Sequence, residues 1–353
     1  MGKKRKIGKK TLVSIIITSI LTITAAAYVA GTLGYKYYTV KISKIELAEE
    51  AYIYVTPQDN TASIIKKIKE IAPEARVSGF ATLASHNNFD SRKRSGKYCI
   101  KDGDTMRDIY NRIVSRQQTP VRVTIPATRN IQQAIGAISR QIMADSAELA
   151  EYTHPVAMSC FGYRQAETPA FFIPDTYEVY WDITAKEFFE KMASWNRKFW
   201  DDNRKAKAKA AGLTPIEVSI LASIVDEETA KTAEMPTVAG LYINRLKRGI
   251  PLQADPTVKF AIGDPTRRRI LKKDLEVNSP YNTYINTGLP PGPIRIPSKQ
   301  AIESVLNYTK HNYLYMCAKE DFSGTHNFAR TLSEHNNNAK RYQQALNRLN
   351  IKK

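Results

Sequence analysis

Residues 214–228 read TPIEVSILASIVDEE, and the way this stretch coils decides what the C-terminal half of the chain is built around. Thr214 and Glu217 have the spacing of a capping box and Pro215 holds the first helical position, so the start of a helix is set. At about 100° per residue, with Leu221 as zero, Ile224 lies near 300°, Val225 near 40° and Glu228 near 340°. Glu228 therefore sits inside the apolar stripe, while Asp226 and Glu227 leave the helix about 120° or more away. A carboxyl on a buried face pays for desolvation unless it is neutral or paired, and burial raises its pKa toward the range of a general acid. The plainer alternative is an acid that reaches solvent at the helix end or pairs with Arg245.

Upstream, Ala185 to Ala211 reads as one long basic helix with Gly212 as its C-cap. Phe171-Phe172-Ile173-Pro174-Asp175-Thr176-Tyr177 reads as a strand ending in a turn. The periodicity breaks between Pro155 and Thr168, which places a domain boundary near residue 160. Before it, short strands alternate with helices: Ala51 to Val55 then Thr61 to Ile71, Tyr98 to Ile100 then Asp104 to Val114, and Val121 to Ile125 then a helix through Ile131, Ile135, Ile138 and Ile142. Residues 86–94, polar except for Phe89, read as a solvated loop.

At the N-terminus, Lys3, Lys4, Arg5, Lys6, Lys9 and Lys10 precede an uncharged stretch from Thr11 to Tyr35. Twenty-five helical residues reach about 37 Å, enough to cross about 30 Å of hydrocarbon with some tilt. The basic flank stays cytoplasmic under the positive-inside rule, and everything after Lys36 is exported. A cleaved leader is the alternative, since Thr24-Ala25-Ala26-Ala27 offers small residues, but the apolar stretch is longer than a leader needs.

The 353 residues suffice for two or three compact units, and 42% hydrophobic with 25% charged residues excludes wholesale disorder and a polytopic membrane protein. Lys and Arg outnumber the acids by 53 to 34, a formal charge of +19, which favours a polyanionic neighbour such as nucleic acid, anionic lipid or an acidic wall polymer. Export weakens nucleic acid as a partner. Cys99, Cys160 and Cys317 are too few and too scattered for a disulfide framework, although one bridge is possible. His311 and Glu334-His335 share no ligand spacing, so neither metal nor cofactor is expected. Tyr308, Tyr313 and Tyr315 read as core strand residues.

Downstream of the helix come Asn244-Arg245-Leu246, Leu252-Gln253-Ala254-Asp255-Pro256-Thr257-Val258, Ser279-Pro280-Tyr281-Asn282-Thr283-Tyr284 and Gly288-Leu289-Pro290-Pro291-Gly292-Pro293-Ile294. Pro256 biases Asp255 toward an extended backbone. With Ser223-Ile224-Val225-Asp226-Glu227-Glu228-Thr229 these motifs, in this order, resemble the MltG (YceG-like) endolytic lytic transglycosylases. Phe172 to Tyr177 and Gly324-Thr325-His326-Asn327-Phe328 resemble two further elements of that family. The chain departs from the pattern at Asp226, where a longer acid is common, and at Ile296-Pro297-Ser298, which replaces Asn-Pro-Gly.

The resemblance implies a single-pass enzyme of the inner (cytoplasmic) membrane that cuts peptidoglycan glycan strands internally between MurNAc and GlcNAc, leaves 1,6-anhydroMurNAc ends and so ends strand elongation. It places the catalytic glutamate on Glu228, in agreement with the helical wheel. Asn244, Gln253 and Tyr284 are candidates for hydrogen bonds to the sugar. Thr257 and His326 are further candidates for the cleft, and Asp255 braces a loop or meets substrate. The expected architecture is α+β: a cytoplasmic tail 1–10, a transmembrane helix 11–35, a small LysM-like α+β region 36–160 and a mixed α/β catalytic domain 161–353. Glycan strands, the inner membrane and peptidoglycan synthases are the implied partners. Two other readings stay open: a non-catalytic wall-binding scaffold, and a two-carboxylate hydrolase that uses Asp255 as its second acid.

Overall fold

The structure, a computed structural model, describes residues 8–264 and 270–349. Lys3, Lys4, Arg5 and Lys6 of the expected cytoplasmic tail lie outside the described residues. The chain divides into two compact units, residues 1–121 with 180–182, and residues 122–179 with 183–353.

In the first unit α1 (Lys9–Lys41) is long and apolar enough to cross a membrane. It runs past the uncharged stretch because its last turn is part of a folded body: Thr39 and Val40 are buried, and Gly79 packs so tightly that a Cβ there would lie 2.2 Å from the Thr39 carbonyl oxygen. Strand β1 (Ala51–Val55) pairs antiparallel with β2 (Gly96–Ile100), Ala51 opposite Ile100, and its alternation sends Ile53 and Val55 inward. Between them lie α2 (Thr61–Ile71), α3 (Ser78–His86) and α4 (Phe89–Arg92), followed by α5 (Met106–Val114). Asn60 and Thr105 close capping boxes that fix where α2 and α5 begin, the second one two residues later than the sequence predicts.

The expected loop 86–94 holds a helical turn instead. Phe89 is buried against Phe80 at 5.1 Å, and sealing one aromatic ring offsets the polarity of its neighbours. Segment 180–182 returns to this unit through Arg116–Asp182 at 3.1 Å and Trp181 packed on Tyr54.

The second unit begins inside β3 (Val121–Ile125), at Arg122; this strand pairs with β4 (Asp175–Val179) across α6 (Ile131–Ser139), α7 (Ser146–Glu151), α8 (Pro155–Cys160) and α9 (Thr168–Phe171). The third strand and helix pair thus belongs with the C-terminal body and not with the first two, because the β3–β4 pairing and a hydrogen bond from Ile296 N to Thr128 O tie it there.

Phe171 and Phe172 are not strand residues. Both are fully buried, Phe171 stacked on Phe189 at 5.8 Å, and that aromatic cluster delays the strand until Asp175. The long basic helix is two helices, α10 (Ala185–Phe199) and α11 (Asp202–Ala211): Trp200 turns inward and Asp201 caps the second by accepting from Arg204 N. Gly212 ends α11 in the left-handed conformation that the sequence predicts.

The core of this unit forms where α12 (Pro215–Glu228) packs on α13 (Met235–Lys247) and on α15 (Lys299–Leu306), with α14 (Asp255–Ile262) alongside. Antiparallel β5 (Tyr315–Ala318) and β6 (His326–Ala329), with α16 (Leu332–Arg348), complete it. Cys99, Cys160 and Cys317 are free thiols, so the possible disulfide is not formed.

Candidate active site

Helix α12 starts where the sequence predicts. Thr214 N donates to Glu217 Oε2 at 2.7 Å and Glu217 N to Thr214 Oγ1 at 3.3 Å, and Val218 to Val225 are all buried. Its last turn then sends three consecutive acids to three different surroundings.

Asp226 accepts Ser298 N at 2.6 Å and Ser298 Oγ at 2.8 Å, and Ser298 in turn caps α15 through Ala301 N. Glu227 accepts Arg129 Nη2 at 2.9 Å and Arg295 Nη1 at 2.8 Å. Glu228 enters a cavity of about 280 Å³. There Tyr242 Oη donates to Glu228 Oε1 at 2.6 Å. Burial pushes the Glu228 carboxyl up to about 7; the Tyr242 hydrogen bond opposes that rise, and the charges of Asp255 and Glu227 add to it. Arg245 is not its partner.

Helix α13 supplies both Tyr242 and Arg245, three residues apart and so on one face. Arg245 Nε donates to Pro251 O at 2.9 Å, Nη1 to Leu314 O at 2.9 Å, and Nη2 to Gln253 Oε1. Gln253 sits at φ 51°, a conformation that costs energy for a residue with a Cβ, and it is held there by the Arg245 contact and by its own N–H to Thr283 O at 3.0 Å. Asp255 opens α14 instead of an extended segment, since a proline in the first turn gives up only an N–H that has no helical partner. Its Oδ1 accepts Tyr284 Oη at 2.5 Å. Gly292 of the proline-rich motif approaches the Ala166 backbone so closely that a Cβ would lie 1.8 Å from its carbonyl oxygen. That contact accounts for a glycine at this point of the loop.

Of the residues singled out from sequence, Glu228, Gln253, Asp255, Tyr284 and His326 line the one cavity. Asn244 and Thr257 do not. The Asn244 amide donates to His311 O at 2.7 Å and Tyr313 O at 3.1 Å, because it leaves α13 on a different face from Tyr242. Thr257 is buried, its hydroxyl on Ala254 O at 2.7 Å and within 2.8 Å of Thr283 Oγ1. Both are framework residues. The cavity also holds Tyr242, Arg245, His335 and Tyr315, the last one read from sequence as core. Burial raises the Tyr242 and Tyr284 hydroxyls and lowers the Arg245 guanidinium.

A profile of the YceG-like family matches residues 53–341. An endolytic murein transglycosylase of Bacillus subtilis (strain 168) is 37% identical over 172 residues, 49% of this chain and 47% of that protein. One of Streptococcus pneumoniae serotype 2 is 26% identical over 348 residues, 87% of this chain and 61% of that protein. The chain thus spans about half to three fifths of the length of the curated relatives it matches. The 2.6 Å crystal structure of a yceG-like protein from Listeria monocytogenes shares the fold, with a TM-score of 0.52 at 23% identity over 82% of this chain and 98% of that one. The family match takes in most of the chain and all of the residues around the cavity, and on that ground the chain belongs to the YceG-like family.

Proposed function

We propose that the chain is a membrane-anchored endolytic murein transglycosylase, with Glu228 as its general acid and base. The observation that carries this is the solitary placement of Glu228: of three successive acids it alone faces the cavity, and burial keeps its proton to about pH 7. In this scheme Glu228 protonates the glycosidic oxygen between MurNAc and GlcNAc. Its carboxylate then takes the proton of the sugar's own C6 hydroxyl as that oxygen closes the 1,6-anhydro ring. Intramolecular attack avoids the entropic cost of bringing in a second reactant. In this reading Gln253, Asp255, Tyr284 and His326, which share the cavity with Glu228, meet the substrate. Tyr242 holds the acid in place.

Helix α1 anchors the protein in the cytoplasmic membrane with the basic tail inside and both units outside, and the first unit serves as a LysM-like contact to the wall. Cleavage of nascent strands there ends their elongation and puts the enzyme beside the peptidoglycan synthases.

Mass spectrometry of the products from uncrosslinked glycan strands tests the reading: anhydromuramyl ends are expected. A second reading, hydrolysis with Asp255 as the second carboxylate, is favoured only by the presence of Asp255 in the same cavity, and it predicts reducing ends.

A further inference from the structure

His326 is held by one carboxylate at two points. Its backbone N–H donates to Glu234 Oε1 at 2.7 Å, and its Nδ1 lies 2.8 Å from Glu234 Oε2. Thr229, the residue next to Glu228, donates its hydroxyl to the same Oε2 at 3.1 Å. The side chains of His326 and Glu234 are 17% and 10% exposed, so the pair is well enclosed. With the carboxylate accepting, Nδ1 carries the hydrogen of this contact, and in the tautomer that this favours the ring's lone pair falls on Nε2. Among the described residues Nε2 has no protein partner, and the ring lines the cavity that holds Glu228.

The chemistry of ring closure asks for such a group. In a β-linked sugar the C6 oxygen must join C1 on the face from which the leaving oxygen departs, whereas a single displacement inverts C1. Two displacements account for this retention, and the first uses a nucleophile on the opposite face. Asp255 is held by the Tyr284 hydroxyl. A nucleophile the substrate itself carries is the carbonyl oxygen of its 2-acetamido group, as in substrate-assisted glycosidases.

Resting on the transglycosylase reading, we propose that His326, oriented by Glu234, accepts the acetamido N–H of the muramyl residue through Nε2 and drives this first displacement. The acetamido oxygen bonds to C1 as the C1–O4 bond breaks, O4 takes the Glu228 proton, and the N–H proton passes to Nε2, leaving an oxazoline. In the second displacement O6 bonds to C1 and the oxazoline C1–O bond breaks. The O6 proton goes to the Glu228 carboxylate and the imidazolium returns its proton to nitrogen, so both groups are restored. His326 is then a catalytic residue, and the enzyme demands N-acetylated muramic acid.

The test compares rates of the full-length protein on N-acetylated and chemically de-N-acetylated glycan strands. The wild type is expected to prefer the former by about a hundredfold or more. His326→Ala is expected to lose about a hundred- to ten-thousand-fold on N-acetylated strands and little further on the others, so that the preference collapses. Glu234→Gln, which keeps the shape but no longer enforces the tautomer, is expected to collapse it too and covers the case in which His326→Ala does not fold. A wild type without preference, or variants that keep the wild-type preference whatever their absolute rate, would overturn the proposal. Glu228→Gln separates the two levels: if it is inactive while the histidine variants keep the preference, only the role of His326 falls, and if it is active the underlying reading falls with it.

Discussion

The two sides of the last turn of α12 are one residue apart in sequence and opposite in chemistry. On the outer side Asp226 and Glu227 accept hydrogen bonds from a backbone N–H and hydroxyl of Ser298 and from two arginines. On the cavity side Glu228 has, among the described residues, a single phenol as donor, and burial raises its pKa. Identical side-chain chemistry is thus made structural on one side and reactive on the other by what surrounds it. The outer pairs pin the helix end to the loops at residues 127–129 and 294–298, and so determine where the inner carboxyl sits.

Variants along this turn can break or sharpen the contrast. After removal of the Glu228 carboxyl itself, Tyr242→Phe is expected to have the largest effect, because it removes a hydrogen bond to the reacting carboxyl worth about 1.5–3 kcal/mol, or roughly ten- to a hundredfold in rate. The hydrogen bond holds the Glu228 pKa down, so its loss should also move the alkaline limb of the pH–rate profile upward. An unchanged profile would mean that Tyr242 only packs.

Glu227→Gln should act in the other direction. Taking a negative charge away from Glu228 lowers its pKa, so the limb shifts to lower pH, with less than about a tenfold loss of rate. It also leaves the exposed Arg129 without its carboxylate and Arg295 with only the Asp226 carboxylate at 3.9 Å, for which a loss of stability of about 0.5–2 kcal/mol is expected in thermal unfolding.

The stability of the protein should carry the signature of Glu228 as well. With a folded-state pKa of about 7, above that of the unfolded chain, the group contributes stability fully below about pH 4 and loses that contribution as the pH rises through 7. Wild type minus Glu228→Gln, compared by thermal midpoints between pH 4 and 8, should fall by about 1–3 kcal/mol, toward the low end because Glu228 is partly exposed. A difference that stays flat with pH would mean that Glu228 titrates as a solvated acid. The smallest effect belongs to Asp226→Asn, which weakens the contact to the cap of α15 at about 0.5–2 kcal/mol and should leave the pH profile where it is.

Part of this contrast is legible in the sequence, because a capped helix has a fixed phase: once Thr214 and Pro215 set the start, Glu228 leaves on a different side from Asp226 and Glu227, although Val218 to Val225 are buried all round and burial alone does not single it out. Its partner is not legible. Tyr242 is on another helix, and which tyrosine crosses the cavity depends on how α13 packs. Membership of a motif likewise does not tell a cavity residue from a framework one. Asn244 and Thr257 stand beside cavity residues in sequence but spend their hydrogen bonds on backbone and on Thr283.

The two places where the chain departs from the pattern it resembles, Asp226 and Ser298, turn out to touch. The shorter acid meets a residue that brings a hydroxyl to it, a pairing across the fold that linear reading treats as two unrelated changes. Elsewhere, Phe89 and Trp200 defeat local reasoning in the same way: one buried ring fixes the backbone around it whatever the neighbouring residues prefer.

The central claim is that one acid of the three does the chemistry. The most direct measurement is the rate of release of anhydromuramyl-ended fragments from uncrosslinked glycan strands by Glu228→Gln, Glu227→Gln and Asp226→Asn, each checked for thermal unfolding. Glu228→Gln is expected to lose about a hundred- to ten-thousand-fold or more while remaining folded, and the other two to stay within about tenfold of wild type. Release at a near-normal rate by Glu228→Gln, or a comparable loss confined to Asp226→Asn, would contradict the account.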